Sequence, residues 1–166
     1  MIVCMASGNG SNFEALVDSG IHIHLVITNK ENAGVIDRAH RLGTPCIISK
    51  DDYEKHVPKN TKLVILAGFM KLLSKEFVER FKVVNIHPSL LPRFKGANAV
   101  KQTIDAGVKE SGCTVHWVDK GMDTGSIIDQ ASCTVYDHDT EKTLHRRIHL
   151  LEHNLYPEVI REILLE

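Results

Sequence analysis

The sequence has no marked excess of charge of either sign. Its 166 residues carry 20 Lys and Arg against 21 Asp and Glu, a formal net charge of −1. Proteins that bind nucleic acids or anionic membrane surfaces concentrate basic residues on one face, so we expect neither partner. No apolar run approaches the roughly 18 residues of a membrane-spanning helix, and the first residues lack the pattern of a signal peptide. These absences predict a cytoplasmic protein.

Cysteine is scarce and dispersed along the chain. The four cysteines contain no C-x-x-C pair, whereas zinc and disulfide frameworks use closer or more numerous cysteines. We therefore expect reduced, unreactive thiols and no metal site built on cysteine. The cysteines are Cys4, Cys46, Cys113 and Cys133.

The length and the even composition predict one domain over residues 1–166. With 43% apolar residues, a chain of this size buries a sizeable core. The chain shows no break in composition, so we draw no domain boundary within it.

Short apolar runs alternate with longer amphipathic ones along the chain. The short runs are rich in Val and Ile, which is typical of buried strands, and the alternation indicates βαβ units. We predict an α/β fold, an open and mostly parallel twisted sheet with helices on both faces, of Rossmann-like type. Strands are expected at Ile2–Ala6, His24–Thr28, Pro45–Ile48, Leu63–Ala67, Val83–Ile86, Thr114–Val118 and Ser126–Tyr136. Helices are expected at Asn12–Ser19, Gly34–Leu42, Ser74–Phe81, Asn98–Ala106 and from about Thr140 to the end.

The first motif is S-G-N-G-S-N at Ser7–Asn12, between a predicted strand and a predicted helix. Gly8 and Gly10 would let the backbone turn so that N–H groups at the helix N-terminus point outward, which favours a phosphate. A dinucleotide site is disfavoured because Phe13 occupies the third glycine position of G-x-G-x-x-G, and a Walker P-loop would need a Lys. A tight turn with a Ser or Asn cap explains the motif equally well.

The second motif is N-I-H-P-S-L-L-P at residues 85–92, where a predicted strand ends. Ligands of open α/β sheets bind at this carboxyl edge, and strand alternation places Asn85 and His87 on one side. An amide donor beside an imidazole suits a carbonyl that becomes an oxyanion. The simpler interpretation is that both side chains only satisfy loop carbonyls.

The third motif is K-G-M-D-T-G at residues 120–125, between the last two predicted strands. Asp and Gly are ordinary turn residues, so a hairpin turn accounts for it without a function. A functional interpretation requires Asp123 to approach His87, where a carboxylate would favour the protonated imidazole.

Over essentially all 166 residues the chain resembles the formyltransferase family, and within it the folate-dependent branch that acts on glycinamide ribonucleotide. The second motif with a later Asp is shared with formyl hydrolases, whereas the opening loop points to the glycinamide branch. The resemblance implies transfer of the formyl group of 10-formyltetrahydrofolate to the amine of 5-phosphoribosylglycinamide in de novo purine synthesis. It implies small-molecule partners, a monomer or homodimer, and no metal. The matching segments are S-G-N-G-S-N, I-L-A-G-F-M-K-L-L at 65–73, N-I-H-P-S-L-L-P, V-H-W-V-D-K-G-M-D-T-G at 115–125 and E-H-N-L-Y-P at 152–157.

The resemblance also implies a role for each matching residue. Asn85 and a protonated His87 would stabilise the oxyanion, and Asp123 would support the imidazole charge and move the amine proton. The acceptor would contact Gly10, Ser11, Asn12, Pro88, His149, Leu150, Leu151 and Glu152. The folate would contact Met70, Lys71, Leu72, Leu73, Asn85, Asp119, Lys120, Gly121, Met122 and Asp123.

The chain departs from the family pattern at two positions and in the short segment Lys50–Lys62, so we expect the folate tail and the acceptor rim to be held differently. Lys71 replaces an Arg that is common after the Met and loses its bidentate fork for a carboxylate. Asn98 replaces a His, so an auxiliary proton-transfer role at that position is in doubt.

Two competing interpretations use other features. H-L-L-E-H at His149–His153 fits the inverted zinc-protease pattern, since two His at this spacing share a helical face. A solvated helix edge explains the same pattern. A catalytically inactive binding module is disfavoured because all three catalytic positions are occupied.

Overall fold

The computed structural model describes every residue except Met122. The chain forms two compact units, Met1–Asn85 and Ile86–Glu166, here called unit 1 and unit 2. Met122, which the resemblance assigns to the folate site, lies outside the described residues.

Unit 1 is built from alternating strands and helices. Its strands pair in the order β3-β2-β1-β4-β5, and every pairing is parallel. A 3₁₀ helix at Tyr53–His56 lies in a segment for which the sequence predicts no helix. The elements are β1 (Ile2–Met5), α1 (Ser11–Asp18), β2 (Leu25–Thr28), α2 (Gly34–Arg41), β3 (Cys46–Ile48), β4 (Leu63–Leu66), α3 (Lys75–Arg80) and β5 (Val83–His87), which ends two residues beyond the unit.

Two strands of unit 1, β2 and β4, are buried on both faces. Every residue of β2 and β4 is buried, the pattern of parallel strands that are covered on both sides. Phe13 and Leu16 of α1 are completely buried and add to this core. Continuous burial therefore explains why these strands read as uninterrupted apolar runs.

Unit 2 combines an antiparallel strand pair with two helices. Gly112 lies where a Cβ would come within 1.9 Å of the Ala131 carbonyl oxygen, so the close pairing requires glycine. β6 begins at Glu110, earlier than the predicted start at Thr114. The apolar pattern missed the first residues of the strand because Ser111 and Gly112 give a weak apolar signal. The elements are α4 (Ala99–Ala106), β6 (Glu110–Trp117), β7 (Ile127–Thr134) and α5 (Glu141–Leu165).

The prediction of an α/β fold with a mostly parallel sheet is confirmed. Apart from β6 and the 3₁₀ helix, each element lies within one or two residues of its predicted bounds. Within the described chain, no helix combines the length and apolar character that a bilayer span requires.

The buried stripe of α5 differs at one position from the stripe that apolar spacing in the sequence predicts, which is Leu144, Ile148, Leu151, Leu155 and Val159. Leu144, Ile148 and Leu155 are buried as expected, but Leu151 is only half-buried. Glu152 takes its place at 4% exposure. A carboxylate at a core-facing position is expensive unless it has a function or partners.

The cysteines are free thiols and all lie in strands, although the predicted strands include only three of them and leave out Cys113. Cys4 and Cys113 are completely buried, and burial raises the pKa of each thiol to about 12. Nucleophilic thiolate is therefore negligible at both positions near neutral pH.

An ion pair anchors the start of α5. The Asp139 carboxylate accepts hydrogen bonds from both terminal nitrogens of Arg147, at 2.8 and 3.0 Å, and from the Thr143 hydroxyl at 2.8 Å. The Tyr136 N–H donates to it at 2.7 Å. These donors, Arg147 first, lower the pKa of Asp139 below its usual range.

We expect Asp139→Asn to lower the free energy of unfolding by about 1.5–3 kcal/mol near pH 7, the range for hydrogen bonds to a charged group. A lowered pKa in the folded state contributes stability above the unfolded value of about 3.9, and this is lost as the pH falls below it. Denaturant titrations at several pH values should therefore show the difference shrinking in acid. Asp137→Asn, the same change at an exposed neighbour, is the control, and an equal loss there would contradict the prediction.

Candidate active site

The phosphate-loop candidate, residues 7–12, turns from β1 into α1. Gly10 has φ +81°, and a Cβ there would lie 2.7 Å from the Cβ of Val35. Only glycine fits this position. A Cβ on Gly8 would meet no atom within 4 Å. The turn therefore depends on Gly10, whereas the sequence led us to expect that it needs both glycines.

The α1 N-terminus has a glycine cap. The N-cap residue is Gly10, which has no side chain to offer, so the alternative of a turn capped by Ser or Asn is wrong about the cap. Ser11 and Asn12 are half-buried in the first helical turn. A helix start of this kind favours an anion through its N–H groups and dipole.

Ser7 joins the loop to two other segments of unit 1, a role that no local sequence pattern indicated. Its hydroxyl donates to Asn29 Oδ1 at 2.6 Å and accepts from the Met70 N–H at 2.8 Å. Its own N–H donates to the Gly68 carbonyl at 3.1 Å. Ser7 therefore ties the start of the phosphate loop to the segment that begins the expected folate site.

That folate segment, Met70–Leu73, presents apolar side chains to solvent. Met70 is 72% and Leu72 66% exposed, and Lys71 is exposed between them. The Tyr53 hydroxyl donates to the Leu72 carbonyl at 3.2 Å. A flat apolar ring could pack on such a surface with a cation beside it.

In unit 2, His87 at the end of β5 lies beside Asp123. The distance from His87 Nδ1 to Asp123 Oδ2 is 3.5 Å, and His87 Nε2 lies 2.8 Å from the Phe94 carbonyl oxygen. Both side chains are almost buried, at 7% and 10% exposure. Both ring nitrogens of His87 therefore face oxygen atoms. The approach that the functional interpretation requires is therefore present.

His116 on β6 faces the other carboxylate oxygen, and the sequence motifs gave it no role. His116 Nε2 lies 3.6 Å from Asp123 Oδ1, and Nδ1 lies 3.0 Å from the Trp117 carbonyl oxygen. Burial lowers the pKa of His116, so a neutral ring donates from Nδ1 to Trp117. The alternation of β6 was the available signal, since it places Thr114 and His116 on one face.

A tight loop brings Asp123 to this position. A Cβ on Gly125 would lie 1.6 Å from the Trp117 carbonyl oxygen, so glycine is required. The Asp119 carboxylate accepts from the Gly121 N–H and the Thr124 hydroxyl, both at 2.8 Å. These contacts fix the turn in which Asp123 lies.

Among the residues of unit 2 that the structure describes, three other than glycine have left-handed backbone conformations. They are Phe94, Asn98 and Asp123, with φ of 56°, 61° and 55°. The Gly96 N–H donates to Asp123 Oδ2 at 2.8 Å and so links the segment that contains the first two to the third. Strained backbone of this kind concentrates at functional sites. Asn98 suits its conformation, since Asn tolerates the left-handed region.

The predicted acceptor residues of α5 have different environments. Glu152 is buried, with Oε1 3.9 Å from His149 Nε2, whereas Leu150 is 63% exposed. His149 also packs between His145 and His153, with ring centroids at 4.2 and 6.1 Å. Across the chain apart from Met122, no group of three or more His, Cys, Asp or Glu is arranged to hold a metal ion.

A family model described as formyl transferase matches residues 1–160. The chain belongs to the formyl transferase family. It is 41% identical to the phosphoribosylglycinamide formyltransferase of Bacillus subtilis, over 96% of this chain and 92% of that protein. The crystal structure of the phosphoribosylglycinamide formyltransferase of Anaplasma phagocytophilum superposes with a TM-score of 0.92 at 39% identity, over 98% of this chain and 85% of that one. The Streptococcus pneumoniae enzyme of the same name gives 0.90 at 37% identity, over 98% of both chains.

Other relatives in the family are much longer proteins. The chain is 42% identical, over 96% of its length, to the trifunctional purine biosynthetic protein adenosine-3 of Drosophila melanogaster, of which it spans only 13%. The formyl transferase fold thus occurs both in short proteins and as part of a larger one.

We expect His149 to titrate at an unusually low pH. Burial first, and then the neighbouring His145 and His153, lower its pKa to about 4. Since its ordinary value is about 6.5, the stability that depends on the neutral ring is complete above pH 6.5 and is lost as the pH falls towards 4. NMR titration of the imidazoles should show this, and His145→Gln should raise the pKa of His149. His22→Gln is the matched control, and an unchanged His149 curve in His145→Gln would refute the assigned cause.

Proposed function

We propose that this member of the formyl transferase family transfers the formyl group of 10-formyltetrahydrofolate to the amine of 5-phosphoribosylglycinamide. The products are formylglycinamide ribonucleotide and tetrahydrofolate, as in de novo purine synthesis. The observation that carries this proposal is the buried His87–Asp123 pair at the carboxyl end of β5. The choice of acceptor is supported by the similarity of the chain to the Bacillus subtilis phosphoribosylglycinamide formyltransferase over nearly the whole length of both proteins.

The reaction begins when the amine lone pair of the acceptor attacks the formyl carbon. The carbonyl π electrons move to oxygen, and a tetrahedral oxyanion forms. When the oxyanion collapses, the bond between the formyl carbon and the folate N10 breaks. The amine loses one proton and N10 gains one, so protons balance without a further reactant.

Asn85 and His87 stabilise the oxyanion in different ways. In the present structure His87 Nε2 faces the Phe94 carbonyl and Nδ1 faces Asp123, so the imidazolium acts mainly through its charge. The Asn85 amide supplies a direct hydrogen bond, the usual contribution of an oxyanion-hole side chain. Asp123 keeps the imidazole charged and, through a water molecule, carries the amine proton to the leaving nitrogen.

The remaining predicted residues bind the two substrates. The phosphate of the acceptor lies at the α1 N-terminus, and Glu152 contacts its glycine or ribose part. We assign acceptor binding to Gly10, Ser11, Asn12, Pro88, His149, Leu150, Leu151 and Glu152. We assign folate binding to Met70, Lys71, Leu72, Leu73, Asn85, Asp119, Lys120, Gly121, Met122 and Asp123.

We further propose that residues 1–166 act as one formyltransferase domain, as a monomer or homodimer in the cytoplasm, and without a metal. The N-terminal half binds the acceptor phosphate, and the C-terminal half carries the catalytic residues and much of the folate site. The enzyme acts on small molecules rather than on nucleic acids or membranes.

An assay of formyl transfer tests the proposal directly. Purified protein is incubated with 10-formyltetrahydrofolate and glycinamide ribonucleotide, and tetrahydrofolate and formylated product are both quantified. We expect one product per folate consumed, with little turnover when the acceptor is water or a simple amine. Folate consumption at the same rate without the acceptor would favour formyl hydrolysis, the main alternative.

Variants of the three catalytic residues should separate their roles. His87→Ala should reduce kcat by about 10² to 10⁴, as for a positioned acid–base group, and Asn85→Ala by roughly 10² to 10³. Asp123→Asn removes the anion that favours the protonated imidazole, so its kcat should partly recover in more acidic buffer, whereas His87→Ala should not recover. A pH profile of kcat for each variant, beside a folate titration, measures this. If Asp123→Asn keeps the height and shape of the parent profile, Asp123 is only a turn residue.

A further inference from the structure

Arg38 of α2 binds the phosphate loop at an exposed residue, Asn9. Its Nε donates to the backbone carbonyl of Asn9 at 2.8 Å, and a terminal nitrogen donates to Asn9 Oδ1 at 2.9 Å. One guanidinium thus holds both the main chain and the side chain of a single residue. This two-point contact fixes the orientation of the peptide, which a single hydrogen bond would not do.

The N-terminus of α2 restrains the same loop. The Val35 N–H donates to the Gly8 carbonyl at 3.0 Å, and the Val35 side chain occupies the space beside Gly10. A Cβ on Gly34 would lie 3.2 Å from both Cα and the carbonyl oxygen of Asn9, so the two backbones are almost in contact. Three successive loop residues are therefore set by α2.

A carboxylate in the first turn of α1 completes the arrangement. Glu14 accepts hydrogen bonds from Arg38 and Arg41 through its two oxygens. These bonds, with Arg41 first, lower the pKa of Glu14, so its negative charge persists but is opposed by two guanidinium groups. An unpaired anion here would oppose phosphate at the same helix end. Arg41 shares the carboxylate with Arg38, but its hydrogen bond goes to Glu14 rather than to Asn9.

We infer that Arg38 is a positioning residue for the acceptor phosphate. It acts through Asn9, holding residues 8–10 in the conformation that leaves the α1 N-terminus ready for an anion. This inference rests on the proposed phosphate role of the loop. Because a preformed loop pays no ordering cost on binding, the loss of Arg38 weakens acceptor binding while the chemical step is spared.

The test compares Arg38→Gln, Arg38→Lys and Arg41→Gln. We expect Arg38→Gln to raise the KM for glycinamide ribonucleotide at least about tenfold, the order of effect of a lost preorganising contact, with kcat and the folate KM within about twofold. Arg38→Lys keeps the charge but loses the fork, so it should show most of the same defect. Arg41→Gln removes one positive charge beside Glu14, as Arg38→Gln does, but removes no hydrogen bond to the loop. Its KM for glycinamide ribonucleotide should therefore stay within about twofold of the parent value.

A second route to the same loop gives an independent check. Gly34→Ala adds a Cβ that presses on the backbone of Asn9, so it should also raise the KM for the acceptor without changing the other kinetic constants. Inhibition by inorganic phosphate, competitive with the acceptor, should weaken in parallel with KM in both Gly34→Ala and Arg38→Gln. An inhibition constant does not depend on the fraction of folded enzyme, so this measurement remains valid if a variant folds poorly.

Ser11→Asp separates the failure of this inference from the failure of the proposed function. It places an anion where the phosphate should lie, and a large rise in the acceptor KM supports the phosphate role. If Ser11→Asp has no effect, the loop does not bind phosphate, and both the phosphate role of the loop and the positioning role of Arg38 are refuted. If Ser11→Asp has its effect but Arg38→Gln does not, or if Arg41→Gln is as damaging as Arg38→Gln, positioning by Arg38 is refuted and the phosphate role stands.

Discussion

The chemistry of unit 2 depends on one constraint, the burial of the Asp123 carboxylate between two imidazoles. Removing a carboxylate from water is costly unless hydrogen bonds and an opposite charge compensate for it. The Gly96 N–H and His87 supply that compensation. Burial lowers the pKa of His116, so its neutral ring donates to the Trp117 carbonyl, and His87 is the nearer imidazole to the carboxylate. In the proposed mechanism, His87 supplies the charge that stabilises the oxyanion.

Several features of the surrounding backbone hold this carboxylate in position. Gly125 permits the approach to Trp117 that no other residue allows, and Asp123 and Phe94 accept left-handed conformations. Such conformations cost of order 1–3 kcal/mol each, and a domain's net stability is only about 5–15 kcal/mol. Strong local anchors such as the Asp139–Arg147 pair offset costs of this kind elsewhere in the unit.

The sequence predicted the regular elements well where periodicity and burial agree. Strands β2 and β4 of unit 1 are buried throughout, so their apolar runs are easy to recognise, and Gly10 marks the turn into α1 in sequence and structure alike. Prediction was weaker where small or polar residues form regular structure, as at Ser111 and Gly112 of β6. It also misplaced part of the α5 stripe, because a buried Glu152 breaks the apolar pattern that locates a core face.

By itself the sequence determined the α/β class and the residue types of the candidate site, because apolar periodicity and local motifs are properties of neighbouring residues. The tertiary structure decided which of those residues meet. Asp123 is 36 positions from His87 in the chain, and the folded chain brings Asp123 Oδ2 to 3.5 Å from His87 Nδ1. For His116 the alternation of β6 was the available signal, but it does not show that the ring meets Asp123. Ser7 and Arg38 act through contacts between distant segments, and a single sequence carries no local signal for such contacts.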